Sequence, residues 1–254
     1  KDGFELFNNR TYVFLGDGCM QEGVASEAAS MAGHLGLKNL IAFYDDNHIT
    51  IDGDTNCAFT EDVGKRFESY NWNVLTVKNG DEDLSALWDA IVKAQQEKER
   101  PTLVCVQTTI GFGSLNQGKA SVHGAPLKED DIAQLKTKFG FNPEEKFVVP
   151  HDVRDAYKSY ADRGAAKHAE WLKLFEEYGK KYSKEYEEIN RRIAQKLPEG
   201  WEKALPTYTP NDKPMATRKL SEIAITSIAA QLPEMLGGSA DLTGSNLTRW
   251  SDAT

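Results

Sequence analysis

Two short apolar runs, Thr11-Tyr12-Val13-Phe14-Leu15 and Leu40-Ile41-Ala42-Phe43-Tyr44, each stop at turn formers: Gly16-Asp17-Gly18 after the first, Asp45-Asp46-Asn47 after the second. Their β-branched and aromatic content predicts strands. Between them Val24, Ala28, Met31 and Leu35 recur at helical spacing, while Gly23, Ala25, Ser26, Ala29, Ala32 and Gly33 keep the rest of the helix small enough to pack closely on a sheet. The three elements form a βαβ unit, whose crossover should be right-handed. The alternation continues with a helix over 62–72, a strand over 73–77, a helix over 81–98 and a β-branched strand over 102–108. That rhythm predicts an α/β fold with a parallel sheet. Gly111, Gly113 and Gly118 mark a long polar loop reaching to Pro126, of the length that is often functional. A helix over 128–139 follows, capped by the acidic run Glu129-Asp130-Asp131.

From 153 to 196 the pattern changes to charged helix, with Tyr157, Tyr160, Trp171, Leu174, Phe175, Tyr178, Tyr182 and Tyr186 as its packing face. The apolar spacing keeps no heptad register, so this is an amphipathic connector rather than a coiled coil. The stretch 197–214 is turn-rich and reads as a linker. A helix over 217–231 and a strand over 235–239 come last, and they cannot bury their apolar faces alone. The expected organisation is therefore a cofactor-binding α/β domain over 1–150, a helical connector and linker over 151–213, and the beginning of a second α/β domain over 214–254. The sequence is expected to be an internal portion of a longer enzyme, opening inside one domain and ending inside another.

Composition narrows the class of function. With 254 residues, 40% of them apolar and 10% aromatic, the chain can build a packed core. The net charge of −9 argues against a nucleic-acid surface, which needs a basic face. It leaves phosphorylated substrates open, because those are captured by local groups whatever the global sign. No apolar run approaches a membrane span. Cys19, Cys57 and Cys105 are odd in number and form no CxxC, so free thiols in a reducing cytoplasm are expected rather than disulfides or zinc.

The chemistry concentrates at the ends of the first two strands. In a parallel pair both carboxyl ends lie on one sheet edge, where open α/β sheets bind ligands, so Asp17 and Asn47 should meet across a short gap. Magnesium takes about six hard oxygen ligands and is commonly held by one or two carboxylates plus substrate phosphates. Asp17, the Asn47 amide oxygen and a backbone carbonyl just beyond it would leave positions for a diphosphate and water. Gly18 has no side chain to keep a diphosphate away, and the following helix would aim its N–H groups at the anion. No GxGxxG is present, and an acid inside the glycine turn would repel a pyrophosphate unless a metal intervened, which disfavours a dinucleotide site.

GDG followed after 28 intervening residues by Asn47 resembles the thiamin diphosphate fingerprint. The wording GDGCMQEGVASEAASMAGHLGL with YDDNHITIDG is similar to the transketolase family, in its fungal and other eukaryotic forms. TTIGFGS at 108–114, SVHGAPL at 121–127, FGFNPEEKFVVP at 139–150, ATRKLSE at 216–222 and GGSADLTGSNLTRW at 237–250 extend the resemblance over essentially the whole chain.

The resemblance implies a thiamin diphosphate-binding fold, with the cofactor held through Mg2+, for which Ca2+ or Mn2+ can substitute. Asp17, Asn47 and the backbone oxygen of Ile49 would hold the metal, and Gly18 would contact the diphosphate. His123 would touch both cofactor and sugar as hydrogen-bond donor or proton shuttle. Arg218 and Ser245 would bind the sugar phosphate, and Asp241 the cofactor ring across a subunit interface. Glu22 either complements a helix dipole or joins an acidic network at a dimer interface. His48 receives no role, its side chain expected to point away from an extended segment. Gly244 stands where the family often has proline.

The implied activity is transfer of a two-carbon ketol unit from a ketose phosphate such as xylulose 5-phosphate to an aldose phosphate such as ribose 5-phosphate or erythrose 4-phosphate. This is the chemistry of the pentose phosphate pathway, carried out by a cytoplasmic homodimer with active sites at the subunit interface. Because the family's activating glutamate and downstream histidine and arginine do not occur here, the 254-residue stretch is expected to be inactive alone. Dihydroxyacetone synthase, a relative using formaldehyde as acceptor, and a non-catalytic module of the same fold are the alternatives. SVHGAPL favours ketol transfer between sugar phosphates over the formaldehyde reaction, and intact Asp17, Asn47, His123 and Arg218 disfavour decay.

Overall fold

The computed structural model describes residues 1–250 and 253; positions 251, 252 and 254, the last of the 214–254 segment, lie outside them. Two compact units divide the chain, one of residues 7–159 and one of residues 1–6 with 160–254.

The first unit is an α/β layer structure built on four parallel strands. They are β1 (Thr11–Gly16), β2 (Leu40–Asp46), β5 (Asn73–Val77) and β6 (Thr102–Gln107), in the order β1-β2-β6-β5. A two-residue antiparallel pair, β3 (Ile49–Thr50) and β4 (Gly53–Asp54), closes the turn after β2. The helices are α1 (Asp17–Met20), α2 (Gly23–His34), α3 (Val63–Ser69), α4 (Leu84–Gln96) and α5 (Glu129–Lys138). Alternation along β2 and β6 feeds two cores. Ala42, Tyr44, Leu103 and Cys105 pack on one face with Ala29, Ala32, Phe67 and Trp72 of the α2–α3 layer. Ile41, Phe43, Val104 and Val106 pack on the other with Ala90 and Ala94 of α4. Ile41, Leu103 and Val104 are fully buried, each stabilising the fold by about 1.5–3 kcal/mol.

On α2 the small residues, not the larger apolar stripe, meet the sheet layer. Ala29, Ala32 and Gly33 are buried, whereas Val24, Met31 and Leu35 are exposed. A Cβ on Gly33 would sit 1.7 Å from the Tyr70 carbonyl oxygen, so only glycine permits this approach. The Trp72 indole N–H donates to the Ala29 carbonyl at 2.8 Å across the same contact. The helix expected over 62–72 stops at Ser69, because Asn71 takes a left-handed conformation (φ +68°) that turns Trp72 inward. The strand β2 runs two residues further than its apolar text, since Asp45 and Asp46 still pair with Val106 and Gln107.

The second unit is helical. Helix α6 (His151–Lys181) spans the boundary between units and is followed by α7 (Ser183–Ile193), α8 (Thr217–Ala229) and α9 (Thr243–Asn246). An aromatic cluster holds α6 to α7: Trp171 stacks on Phe175 at 4.9 Å, Phe175 meets Tyr186 at 4.4 Å, and Phe4 packs edge-on against Tyr178 and Tyr182. Tyr157 and Tyr160, expected on the packing face, are exposed. Arg191 and Arg192 both pair with Glu188 and Glu234. The strand expected over 235–239 does not form. Among the described residues no strand lies beside it to complete a ladder, and Leu236 is left 96% exposed.

Candidate cofactor site

The parallel register of β1 and β2 sets Gly16 opposite Asp45, so both strands end at one edge of the sheet. Asp17 follows Gly16 directly and is only 2% exposed. Its Oδ1 accepts a 2.6 Å hydrogen bond from the Tyr44 hydroxyl, while Oδ2 is buried with no partner. An unpartnered buried carboxylate oxygen is costly, and a cation placed against it removes that cost.

The period of two along the chain splits the end of β2 between two cavities. Asp45, Asn47 and Ile49 line one of them together with Asp17, Gly18 and His123. Tyr44, Asp46 and His48 line the other, and Asp17 reaches both. On the first side the Asn47 amide is held in place at both ends: its Nδ2 donates to Asp45 Oδ2 at 3.2 Å, and its Oδ1 accepts from the Ile49 N–H at 3.0 Å. Asp45 is itself held by the Thr108 hydroxyl at the end of β6. Asp45 therefore decides which way the amide faces. On the expectation that Asn47 is a metal ligand, Asp45→Asn should let that amide turn over, and loss of such an orienting partner costs about 10- to 100-fold in metal affinity. Calorimetric titration of the full-length protein with Mg2+ at fixed thiamin diphosphate would read this.

On the second side His48 is not extended but left-handed (φ +60°), and its side chain borders the second cavity while remaining 64% exposed. Its Nδ1 lies 3.3 Å from Asp46 Oδ1, and donor atoms of Asp17, Asp46 and His48 all lie within 4.8 Å of one another. The side chain thus lies off the cavity of Asn47 and Ile49, as expected, but the extended conformation expected for the segment is corrected to a left-handed one. Burial, then the hydrogen bond to Asp17, pushes the Tyr44 hydroxyl upward, so it remains a donor. Burial is also the main cause raising the Asp46 carboxyl, which Asp17 reinforces and His48 opposes. Cys105 borders this cavity, and burial pushes its thiol up to about 12, leaving it unreactive.

The Gly16-Asp17-Gly18 segment is not the start of a long helix. Gly16 ends β1, Asp17 and Gly18 open the four-residue α1, and α2 begins only at Gly23. So few aligned peptides make little dipole, and the backbone opening at Gly18 takes over the expected role: a Cβ placed there meets nothing within 4 Å. Glu22 is the residue preceding α2, with no side-chain cap bond, and it borders the first cavity.

His123 follows a short 3-10 turn, Ala120–Val122, in the loop between β6 and α5, and is exposed toward the cavity that Asp17 and Asn47 share. Arg218, Asp241 and Ser245 belong to the second unit. There Arg218 Nη1 donates to the Ser245 carbonyl at 3.4 Å. Asp241 is exposed, in a left-handed conformation (φ +54°). Sequence reasoning missed Tyr44, Asp45, Asp46, His48 and Thr108. The signal for Tyr44 and Asp46 was their i, i+2 spacing, which puts them on one face of a strand.

Comparison with known proteins bears on this geometry. The family described as transketolase, thiamine diphosphate binding domain, matches residues 1–198. Transketolase 1 of Saccharomyces cerevisiae is 58% identical over 254 residues, all of this chain. Transketolase of Kluyveromyces lactis is 59% identical over 250 residues, 98% of this chain. A crystal structure of Pichia stipitis transketolase in complex with sedoheptulose 7-phosphate superposes on 99% of the chain with a TM-score of 0.93 at 54% identity. The Leishmania mexicana transketolase structure gives 0.92 at 43% over 98% of the chain. The chain spans 37% of the length of each of these relatives.

Proposed function

Since the chain belongs to the transketolase family and matches its thiamine diphosphate binding domain, we propose that the protein transfers a two-carbon ketol unit between sugar phosphates. The donor would be a ketose phosphate such as xylulose 5-phosphate, and the acceptor ribose 5-phosphate or erythrose 4-phosphate, as in the pentose phosphate pathway. The observation that carries this reading is the buried Asp17, whose Oδ2 has no partner, on a cavity it shares with Gly18, Asn47, Ile49 and His123.

The residues present fit Mg2+ and a diphosphate. Asp17 supplies a carboxylate, Asn47 an amide oxygen and Ile49 a backbone oxygen, all hard donors suited to Mg2+, with Ca2+ or Mn2+ as substitutes. Gly18 leaves open the space in which a diphosphate would lie. Bound thiamin diphosphate supplies the carbanion chemistry by which the carbon–carbon bond is broken and remade. This chain's residues bind and orient. Asp17 would fix the metal, Asp45 would aim the Asn47 amide, and His123 would hold or relay a proton at the sugar oxygens. In the second unit, Arg218 and Ser245 are assigned to the sugar phosphate, where a guanidinium fork suits phosphate oxygens. Asp241 is assigned to the cofactor ring.

We read residues 1–150 as the cofactor diphosphate domain, 151–213 as connector and 214–254 as the start of the pyrimidine-binding domain; the change from parallel α/β to helix supports the first boundary. A homodimer with the active sites at its interface is supported by the exposed Val24, Met31 and Leu35 stripe on α2. Among the described residues no helix is long and apolar enough to cross a membrane. Three free cysteines fit a reducing cytoplasm.

The test is acceptor choice by the full-length protein. With xylulose 5-phosphate as donor, ribose 5-phosphate should be turned over in preference to formaldehyde. Preference for formaldehyde would assign the dihydroxyacetone synthase reaction instead.

A further inference from the structure

The loop that carries His123 is fastened to α5 by one buried carboxylate. Asp131 is 3% exposed. Its Oδ2 accepts from the Ser114 hydroxyl at 2.6 Å, and its Oδ1 from the Leu115 N–H at 3.0 Å and from Gln134 Nε2 at 2.8 Å. The Gln134 amide also donates to the Gly113 carbonyl at 3.1 Å. Thus the Asp131 carboxylate, as acceptor, and the Gln134 amide, as donor, sit one turn of helix apart and gather three consecutive loop residues, 113–115. An acidic residue in a first helical turn ordinarily faces outward and complements the dipole; Asp131 is turned the other way. All its partners are neutral, so a charge is kept buried on hydrogen bonds alone. That is an expensive way to secure stability, and it suggests a site that must be held in one geometry.

Apolar contacts and backbone bonds carry the anchor on to His123. Gly113 (φ +91°) lies so close to α5 that a Cβ there would meet Leu135 Cδ1 at 2.7 Å and the Phe139 ring at 2.9 Å. The Gly118 N–H donates to the Ile110 carbonyl at 2.8 Å, closing the loop on itself, and Ile110 borders the same cavity as His123. Gly111 (φ +63°), on the outgoing limb, packs so tightly on Val122 of the returning limb that a Cβ would meet its Cγ2 at 2.8 Å. Val122 is the residue before His123. Movement of the 113–115 segment would therefore pass through Gly111 and Val122 to the imidazole.

We propose that Asp131 is a positioning residue for ketol transfer: it sets the place of His123 by clamping the Ser114 and Leu115 limb of the glycine-rich loop to α5. The inference rests on the reading of His123 given above. The three hydrogen bonds, that from Ser114 foremost, also hold the Asp131 carboxyl below the usual aspartate range, which keeps it a charged acceptor at neutral pH.

The test compares the full-length holoenzyme as wild type, Asp131→Asn, His123→Ala and the double variant, measuring kcat and KM with xylulose 5-phosphate and ribose 5-phosphate. Asp131→Asn should lower kcat/KM about 10- to 100-fold, the effect of a displacement near 1 Å at a reacting group. In the His123→Ala background it should cost nothing further, because the clamp acts through a side chain that is gone. Losses that simply multiply, or an Asp131→Asn enzyme with wild-type kinetics, would overturn the proposal. Amide hydrogen exchange at Leu115 and Gly118 is read in the same proteins without substrate. It should quicken in Asp131→Asn, and unchanged protection would overturn the clamp even if no ketol transfer were found. Absence of transfer by the wild type, with the exchange result as expected, would instead overturn the functional reading. Should Asp131→Asn not fold, Ser114→Ala removes one bond from the loop side and should show the same non-multiplying loss, smaller in size.

Discussion

Asp17→Asn in the full-length protein abolishes detectable Mg2+-dependent binding of thiamin diphosphate, and with it ketol transfer, yet the apoprotein unfolds at a higher temperature. Both signs follow from the same two atoms. In the wild type Oδ1 already has the Tyr44 hydroxyl, and Oδ2 is buried without a partner. Burying that charge without a counter-ion, beside the Asp46 carboxyl it repels, is costly, and the isosteric amide removes the charge while retaining an oxygen for Tyr44. The apoprotein is therefore relieved. Once the metal arrives, that same charge becomes its strongest local attraction, and removing one member of a buried charged pair costs about 2–5 kcal/mol. At 1.4 kcal/mol per decade this is about 30- to several-thousand-fold in Kd. Differential scanning calorimetry of the apoprotein and calorimetric titration with cofactor check the two halves separately. A variant that loses stability as well as affinity would show Asp17 to be an ordinary structural carboxylate. Opposite signs mark a residue whose strain in the free protein is kept for its ligand.

The second large effect is expected at His123, with the losses distributed the other way. The imidazole borders the cavity but none of the hydrogen bonds in the structure joins it to Asp17 or Asn47 through its side chain; its backbone N–H donates to the Ala120 carbonyl at 2.9 Å. His123→Ala should therefore leave the metal end intact. Cofactor affinity changes by about tenfold at most, the worth of one neutral hydrogen bond. The transfer step loses a proton donor and acceptor at the sugar oxygens, and kcat falls about 10²- to 10⁴-fold. Steady-state kinetics at saturating cofactor, together with the cofactor titration, separate the two. Equal losses in affinity and kcat would make His123 a binding residue only.

How much of this can be read from the residues alone depends on whether the information is periodic. The runs at 11–15 and 40–44 end in turn formers, which places Asp17 and Asn47 at one sheet edge before any coordinates are known, and the cavity lined by both agrees. Periodicity also separates Tyr44 and Asp46 from Asp45 along β2, a division the sequence contained and reasoning passed over. What escaped it was conformational. His48 takes a positive φ that few residues other than glycine adopt, and nothing in Asn-His-Ile announces it. The strand expected over 235–239 failed for another reason: a strand needs a neighbour, and apolar text cannot supply one. Asp131 escaped because an acid in the first turn of a helix already has a sufficient local explanation. Only its distance to Ser114 reveals the other. On α2 the larger residues drew attention, while the surface that packs is the one made of alanine and glycine, where backbone approach replaces side-chain burial.

The account stands on a metal held by Asp17, and the most direct measurement is the Kd of thiamin diphosphate for the full-length protein with Mg2+ present and with it removed by chelation. A large weakening on chelation in the wild type, absent in Asp17→Asn, is the predicted result. Equal affinity with and without the metal, or the same metal dependence in both proteins, would contradict it.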